Sequence, residues 1–145
     1  MRLEFAIDIG RSAADVFDLV SDLQNDIRWQ KSLIEVRKMT AGPVGIGTRF
    51  HQRIFALGTV LPIEVVVRQF RLHRDYVLDV SWRDLVFTTT VCVQTIAQGS
   101  RLTVLVEGKF TGLAKLAAVT LSHHRSNQIE ADLANLKLLM DAGKL

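Results

Sequence analysis

"IEVRKMTAGPVGIGTRF", residues 34–50, carries three glycines (Gly42, Gly45 and Gly47) within six positions. A stretch this rich in glycine has two physical uses. It can close backbone N–H groups around a phosphate at the start of a helix, or it can reverse the chain between two strands. The flanks decide between them. Ile34 and Val36 alternate with Glu35 and Arg37 before the glycines, and "TRFHQRIF", residues 48–55, alternates after them, so a strand follows rather than a helix. The order is Gly-x-x-Gly-x-Gly, not Gly-x-Gly-x-x-Gly, and no Lys-Ser/Thr pair follows. Glycine supplies positive φ and Pro43 a fixed φ, which makes the stretch a hairpin connection.

From this hairpin to Phe110 the chain reads as strand. "VLPIEVVVRQF" (60–70), "DYVLDVSW" (75–82), "LVFTTTVCVQT" (85–95) and "SRLTVLVEGKF" (100–110) are joined by connections as short as "RD" and "AQG". Connections of that length imply sequential antiparallel neighbours. Upstream, "RLEFAIDI" (2–9) puts Leu3, Phe5, Ile7 and Ile9 on one face and Glu4 and Asp8 on the other, a strand with one wet side. "RSAADVFDLVSDL" (11–23) follows as a helix, with Ser12 as N-cap, Asp15 in its first turn, and Val16, Phe17 and Val20 at helical spacing. "LQNDIRWQ" (23–30) reads as a second short helical piece that ends in Trp29. From Leu113 no Gly or Pro occurs until Gly143, which predicts a long helix. Its Ile129, Leu133, Leu136 and Met140, spaced 4, 3 and 4, form a buried stripe. Extending that stripe towards the N-terminus brings Ser122 and Arg125 to the same face, whereas Leu113, Leu116, Ala117 and Leu121 lie well round the helix. The apolar face therefore rotates near His123–Asn127, which suggests a kink, a register break or a polar patch at a cavity mouth.

Composition narrows the function classes. The 145 residues are 48% hydrophobic and 23% charged, the balance of a single globular domain over 1–145. A formal charge of +3, from 18 basic and 15 acidic residues, leaves no electrostatic footprint for nucleic acid. The single cysteine, Cys92, excludes an internal disulfide and a cysteine cluster for zinc, and reads as a strand residue. The N-terminus lacks a signal-peptide core, and no run approaches the roughly 18 apolar residues of a membrane span. The expectation is a soluble cytoplasmic protein, a monomer or homodimer, without integral membrane association or cofactor.

The order strand, two short helices, six-strand antiparallel run, long helix resembles the START-like or SRPBCC superfamily, the helix-grip or birch-pollen-allergen fold. "RSAADVFDLVSDLQNDIRW" is similar to that superfamily's Ser-Ala-x-x-Val-Phe helix leading to a Trp, "IEVRKMTAGPVGIGTRF" to its Gly-x-Gly-Thr-Arg hairpin, and "LANLKLLM" to its closing helix. The likeness spans essentially the whole chain and is strongest to the bacterial polyketide cyclase/dehydrase and lipid-transport-like branch. The resemblance implies an α+β helix-grip fold, with a seven-stranded curved antiparallel sheet wrapped around the long C-terminal helix. It also implies a cavity between them. Cyclases, receptors and carriers share this fold, so it does not decide the activity.

Strand alternation names the inward side chains. Those expected to line the cavity are Phe50, Gln52, Ile54, Ile63, Val65, Tyr76, Leu78, Trp82, Phe87, Thr89, Val104 and Val106, with Ile34 and Val36 also on an apolar face. Trp29 is either a fold-stabilising lid or a ligand contact, and Arg125 either a surface residue or a polar group at the mouth. No Asp or Glu interrupts an apolar strand face; Glu4, Asp8, Glu35, Glu64, Asp79 and Glu107 all read as solvent-facing. Arg49, His51 and Arg53 read as a solvated basic stripe, although a bulge or one-residue slip would turn them inward. The adjacent His123 and His124 make a poor metal site, since neighbours on a helix diverge by about 100°. This interior suits an apolar ligand (a lipid, polyketide, isoprenoid or aromatic) oriented by Gln52, Thr89 and the Tyr76 hydroxyl. The alternatives are a polyketide cyclase or dehydratase using the same cavity, and an interaction protein whose cavity is closed. An ionisable group inside the cavity would separate enzyme from binder.

Overall fold

A computed structural model describes residues 1–110 and 112–145, with the side chains of Leu113, Ala114, Leu116, Ala117 and Leu121 outside the described set. The chain runs β1 (Arg2–Ile9), α1 (Ala13–Ser21), a 3-10 helix (Leu23–Arg28), β2 (Leu33–Lys38), β3 (Arg49–Ala56), β4 (Thr59–Arg71), β5 (Asp75–Trp82), β6 (Leu85–Ile96), β7 (Gly99–Gly108) and α2 (Leu113–Asp141). All seven strands form one antiparallel sheet in the order β1-β7-β6-β5-β4-β3-β2. Each strand from β2 to β7 therefore pairs with its neighbour in sequence, as the short connections demand. β1 closes the far edge against β7, from Arg2 opposite Glu107 to Ile9 opposite Ser100.

The glycine-rich segment is the β2–β3 turn. Gly42 and Gly47 have φ of 87° and 88°, a region costly for any residue with a Cβ. The turn is also fastened from beneath. Gly47 N–H donates to the Val67 carbonyl at 2.8 Å, Val67 N–H donates to Thr48 O at 2.9 Å, and the Thr48 hydroxyl accepts from Gly45 N–H at 3.0 Å. In β3, Phe50 is fully buried while Arg49 and Arg53 are exposed, and His51 reaches the Glu64 carboxylate of β4. The basic stripe thus lies on the outer face and the expected register holds. One strand reading fails: Ile34 is 44% exposed. The β2–β3 ladder slips between Leu33 and Glu35, and this bulge buries Leu33 at the position the alternation gave to Ile34.

At the N-terminus of α1 the Ser12 hydroxyl accepts from Asp15 N–H at 3.1 Å, and Val16, Phe17 and Val20 are buried. The C-terminal half of α2 is sunk against the sheet: Leu133, Leu136 and Met140 are all buried, and Ile129 is half-buried. Polar clips fix its position along the groove. Asp141 accepts from Gly10 N–H at 2.8 Å, Lys137 donates to Asp8 O at 2.6 Å, and Asn135 donates to Trp29 O at 2.9 Å. The helix is continuous through His123–Asn127, without a break. The side chains of Leu113, Leu116, Ala117 and Leu121, expected on another face, lie outside the described residues.

Leu136 has no exposed surface and sits at the centre of the α2 stripe. Leu136→Ala should cost about 2–5 kcal/mol in urea unfolding, the usual range for a filled core site. A loss under about 1 kcal/mol would mean that α2 does not close the core.

Candidate functional site

Between the concave face of the sheet and α2 lies a cavity of about 190 Å³. The sheet wall is made by the residues strand alternation turned inward. β3 gives Gln52 and Ile54, β4 gives Ile63 and Val65, and β5 gives Tyr76, Leu78 and Trp82. Phe87 and Thr89 come from β6, Val104 and Val106 from β7, Trp29 from the end of the 3-10 helix, and Arg125 from α2. Phe50 does not line the cavity. It is buried in the core beneath it, at the end of β3 nearest the glycine turn. The Tyr76 ring lines the wall, but its hydroxyl donates to Val20 O at 2.9 Å. That group ties β5 to α1 and is not the free ligand-orienting hydroxyl expected.

The main departure concerns charge. Strand carboxylates do face outward: Asp8 pairs with Arg101, Glu35 with Arg53, and Asp79 with Arg68. Acids nevertheless reach the cavity, from the helical segments. Asp26 of the 3-10 helix and Asp132 of α2 are both buried, and both line it, together with Gln30, His124 and Gln128. The signal was present in the spacing. Asp26 stands three residues before Trp29, the residue that caps the 3-10 helix at its C-terminus. Asp132 stands seven after Arg125 and three after Ile129, on the face already assigned to Arg125.

Burial pushes the Asp26 carboxyl well above the usual carboxylate range, and the charges of Asp22 and Asp132 push the same way, against the Gln30 amide and Arg125. Burial also raises Asp132, while the Lys31 N–H that it accepts at 3.1 Å and the Arg125 charge pull it down. Arg125 donates to Gln128 Oε1 at 3.3 Å, and desolvation lowers its pKa against the pull of both aspartates. Arg125 is half-buried and lines the cavity. Three buried side-chain polar atoms lack a hydrogen-bond partner among the described residues: Asp26 Oδ1, Trp29 Nε1 and His124 Nε2. All three belong to residues of this one cavity. Among the described residues no group of three or more His, Cys, Asp or Glu is placed to hold a metal ion, and no helix is long and apolar enough to cross a membrane.

A helix-grip α+β protein with a cavity between sheet and α2, lined mostly by apolar side chains with polar groups among them, is the class that this fold and site define. Solved structures share the fold across their whole length. TTHA0849 from Thermus thermophilus superposes with a TM-score of 0.79 at 14% identity, over 100% of both chains. CV1439 from Chromobacterium violaceum gives 0.73 at 12% identity, over 97% of this chain and 98% of that one. Ara h 8.0201, a birch-pollen-allergen-like protein, gives 0.67 at 13% identity, over 91% and 94%. Identities this low establish the fold and nothing of the activity. No protein-family model and no curated protein matches the sequence.

The raised Asp26 makes a stability prediction with a definite sign. In the folded chain Asp26 stays protonated at pH values where the unfolded chain ionises it, so stability falls as pH rises above the ordinary carboxylate range. Asparagine has no charge to suppress. Asp26→Asn should raise the melting temperature near pH 8, and the gain should shrink towards about pH 3, where wild-type Asp26 is largely protonated in both states. A gain independent of pH, or a loss near pH 8, would show that Asp26 is not held as the neutral acid.

Proposed function

We propose that the protein binds a hydrophobic small molecule (a lipid, polyketide, isoprenoid or aromatic compound) in the cavity between sheet and α2. The observation that carries the proposal is the lining itself. Apolar side chains from β3 to β7 converge on one concave space with a few polar groups among them, the usual build of a small-molecule site. A chain using this space only for stability would gain by filling it, because an empty apolar cavity forfeits packing contacts. The half-buried free thiol of Cys92 suits a reducing, cytoplasmic setting.

One observation favours a second reading, an enzyme of the cyclase or dehydratase kind. A buried carboxyl held protonated inside a ligand cavity is a general acid, able to give a proton to a carbonyl oxygen as a carbon nucleophile adds to that carbonyl. Turnover of a poly-ketone substrate that Asp26→Asn abolishes, with binding intact, would establish this reading over simple carriage.

An environment-sensitive apolar dye should bind with a dissociation constant on the order of micromolar, without added metal and with little dependence on salt. Val65→Trp and Val104→Trp, which place a bulky ring in mid-sheet, should each abolish that binding and leave the circular dichroism spectrum unchanged. Dye binding that survives both substitutions would move the site to the protein surface.

A further inference from the structure

The β3–β4 hairpin lacks the charges that usually guard an exposed strand end. Its ten residues from Ile54 to Ile63, "IFALGTVLPI", include no charged side chain. Ala56 and Leu61 are buried, but Phe55 and Val60, opposite each other on the two strands, are 52% and 38% exposed, and Leu57 at the tip is 49% exposed. Leu57 and Gly58 make a two-residue turn with φ of 54° and 75°. Positive φ at both positions favours Asn-Gly or Asp-Gly. A leucine there carries backbone strain and holds apolar surface in water at the same time. Such an outlier on a surface tip points to a use outside the fold.

The hairpin also projects. Glu64 of β4 lies opposite Ser81 of β5; from that pair β4 continues five residues to Thr59, whereas β5 continues one, to Trp82. At about 3.3 Å per residue the tip stands roughly 13 Å beyond the β5–β6 turn along the strands. Cations surround it at the same end of the sheet. Lys31 lines a groove with Phe55, Leu57 and Gly58, Arg83 is in the β5–β6 turn, Lys109 follows β7, and Lys115 is in the first turn of α2. All four are exposed and none is in an ion pair among the described residues; Asp84 is the one acid of these connecting segments. A projecting apolar tip backed by cations fits a fluid anionic surface. Two copies meeting tip to tip would bring like charges together, and a rigid partner would need a hollow matched to the tip, whereas lipid closes round it. We propose that this end of the protein docks on an anionic lipid bilayer, with Phe55, Leu57 and Val60 entering the headgroup region and the four cations held at the lipid phosphates. At the opposite end Met39, Ile46 and Leu72 are exposed as well, but each is a single apolar residue between polar or glycine neighbours. Such docking is independent of what the cavity holds.

Co-sedimentation of the full chain with vesicles tests this, using phosphatidylcholine alone and phosphatidylcholine mixed with phosphatidylglycerol. The chain should bind the mixed vesicles at least about tenfold more tightly than the neutral ones, and high salt should release it. Leu57→Asn supplies the Asn-Gly pair that the turn favours, so it should raise the melting temperature by about 2–4 °C while weakening vesicle binding about tenfold. The opposed signs separate a docking role from a structural one. Lys31→Gln combined with Arg83→Gln should weaken binding to mixed vesicles about ten- to thirtyfold. Ile46→Asn, at the other end of the sheet, should leave binding unchanged. Equal binding to both vesicle types, or binding to neither, would overturn the proposal. So would binding that survives Leu57→Asn, or that Ile46→Asn abolishes. A fall in melting temperature for Leu57→Asn would show that Leu57 serves the fold and overturn its assignment to lipid. A dimer in lipid-free buffer that Leu57→Asn dissociates would give the hairpin to a second copy of the chain instead.

Discussion

A single helix has to cover a concave sheet that is wider than itself. Seven strands span roughly 30 Å across, against a helix about 10 Å thick with its side chains. The C-terminal half of α2 solves this locally, where Leu133, Leu136 and Met140 meet the sheet and α1 adds Val16 and Phe17 to the same core. Beyond Ile129 the helix no longer brings large apolar side chains to the groove among the described residues. It offers Arg125, His124 and Gln128 instead. The cavity lies beside the N-terminal end of this stripe, where Ile129 and Leu133 line it together with those polar side chains.

Placing polar groups there is costly, and the fold accepts the cost. A carboxyl as deeply buried as Asp26 resists ionisation, and an unpaired indole N–H gives up a hydrogen bond worth about 1 kcal/mol or more. Neither contributes to folding. The neighbouring polar groups, by contrast, are tied into the structure: Asp132 accepts from Lys31 N–H, Asn135 donates to Trp29 O, and Tyr76 donates to Val20 O. The contrast separates side chains that hold the walls in place from those whose burial is uncompensated. Stability given up at one spot, inside walls otherwise well satisfied, is a usual mark of a functional site.

Much of this was legible in the sequence, and the failures have definite causes. Two-residue alternation fixed the facing of β3 to β7 because these strands bury mainly one side, so Gln52, Val65, Leu78 and Val104 fall where alternation puts them. The glycine turn was legible from its flanks. Ile34 was misplaced because a bulge adds a residue that alternation cannot count. Phe50 was assigned to the correct face but not the correct depth, since facing says nothing of where along a strand the core gives way to the cavity. The acids were missed for a more general reason. On a strand an inward carboxylate breaks a visible pattern, but Asp26 and Asp132 sit on helical segments, whose faces are harder to delimit. The Tyr76 hydroxyl shows a further limit, because its partner Val20 lies on an element distant in the chain, and no local pattern encodes that contact.

The central claim is that the space under α2 is open to an apolar molecule, and intermolecular NOEs test it most directly. With the Ile, Leu and Val methyls labelled and an unlabelled apolar aromatic added in solution, the account predicts NOEs from the aromatic to Val65, Leu78, Val104 and Leu133, which line the cavity. It predicts none to Val86 or Leu138, which are exposed. NOEs confined to exposed methyls, with those four silent at saturation, would contradict it.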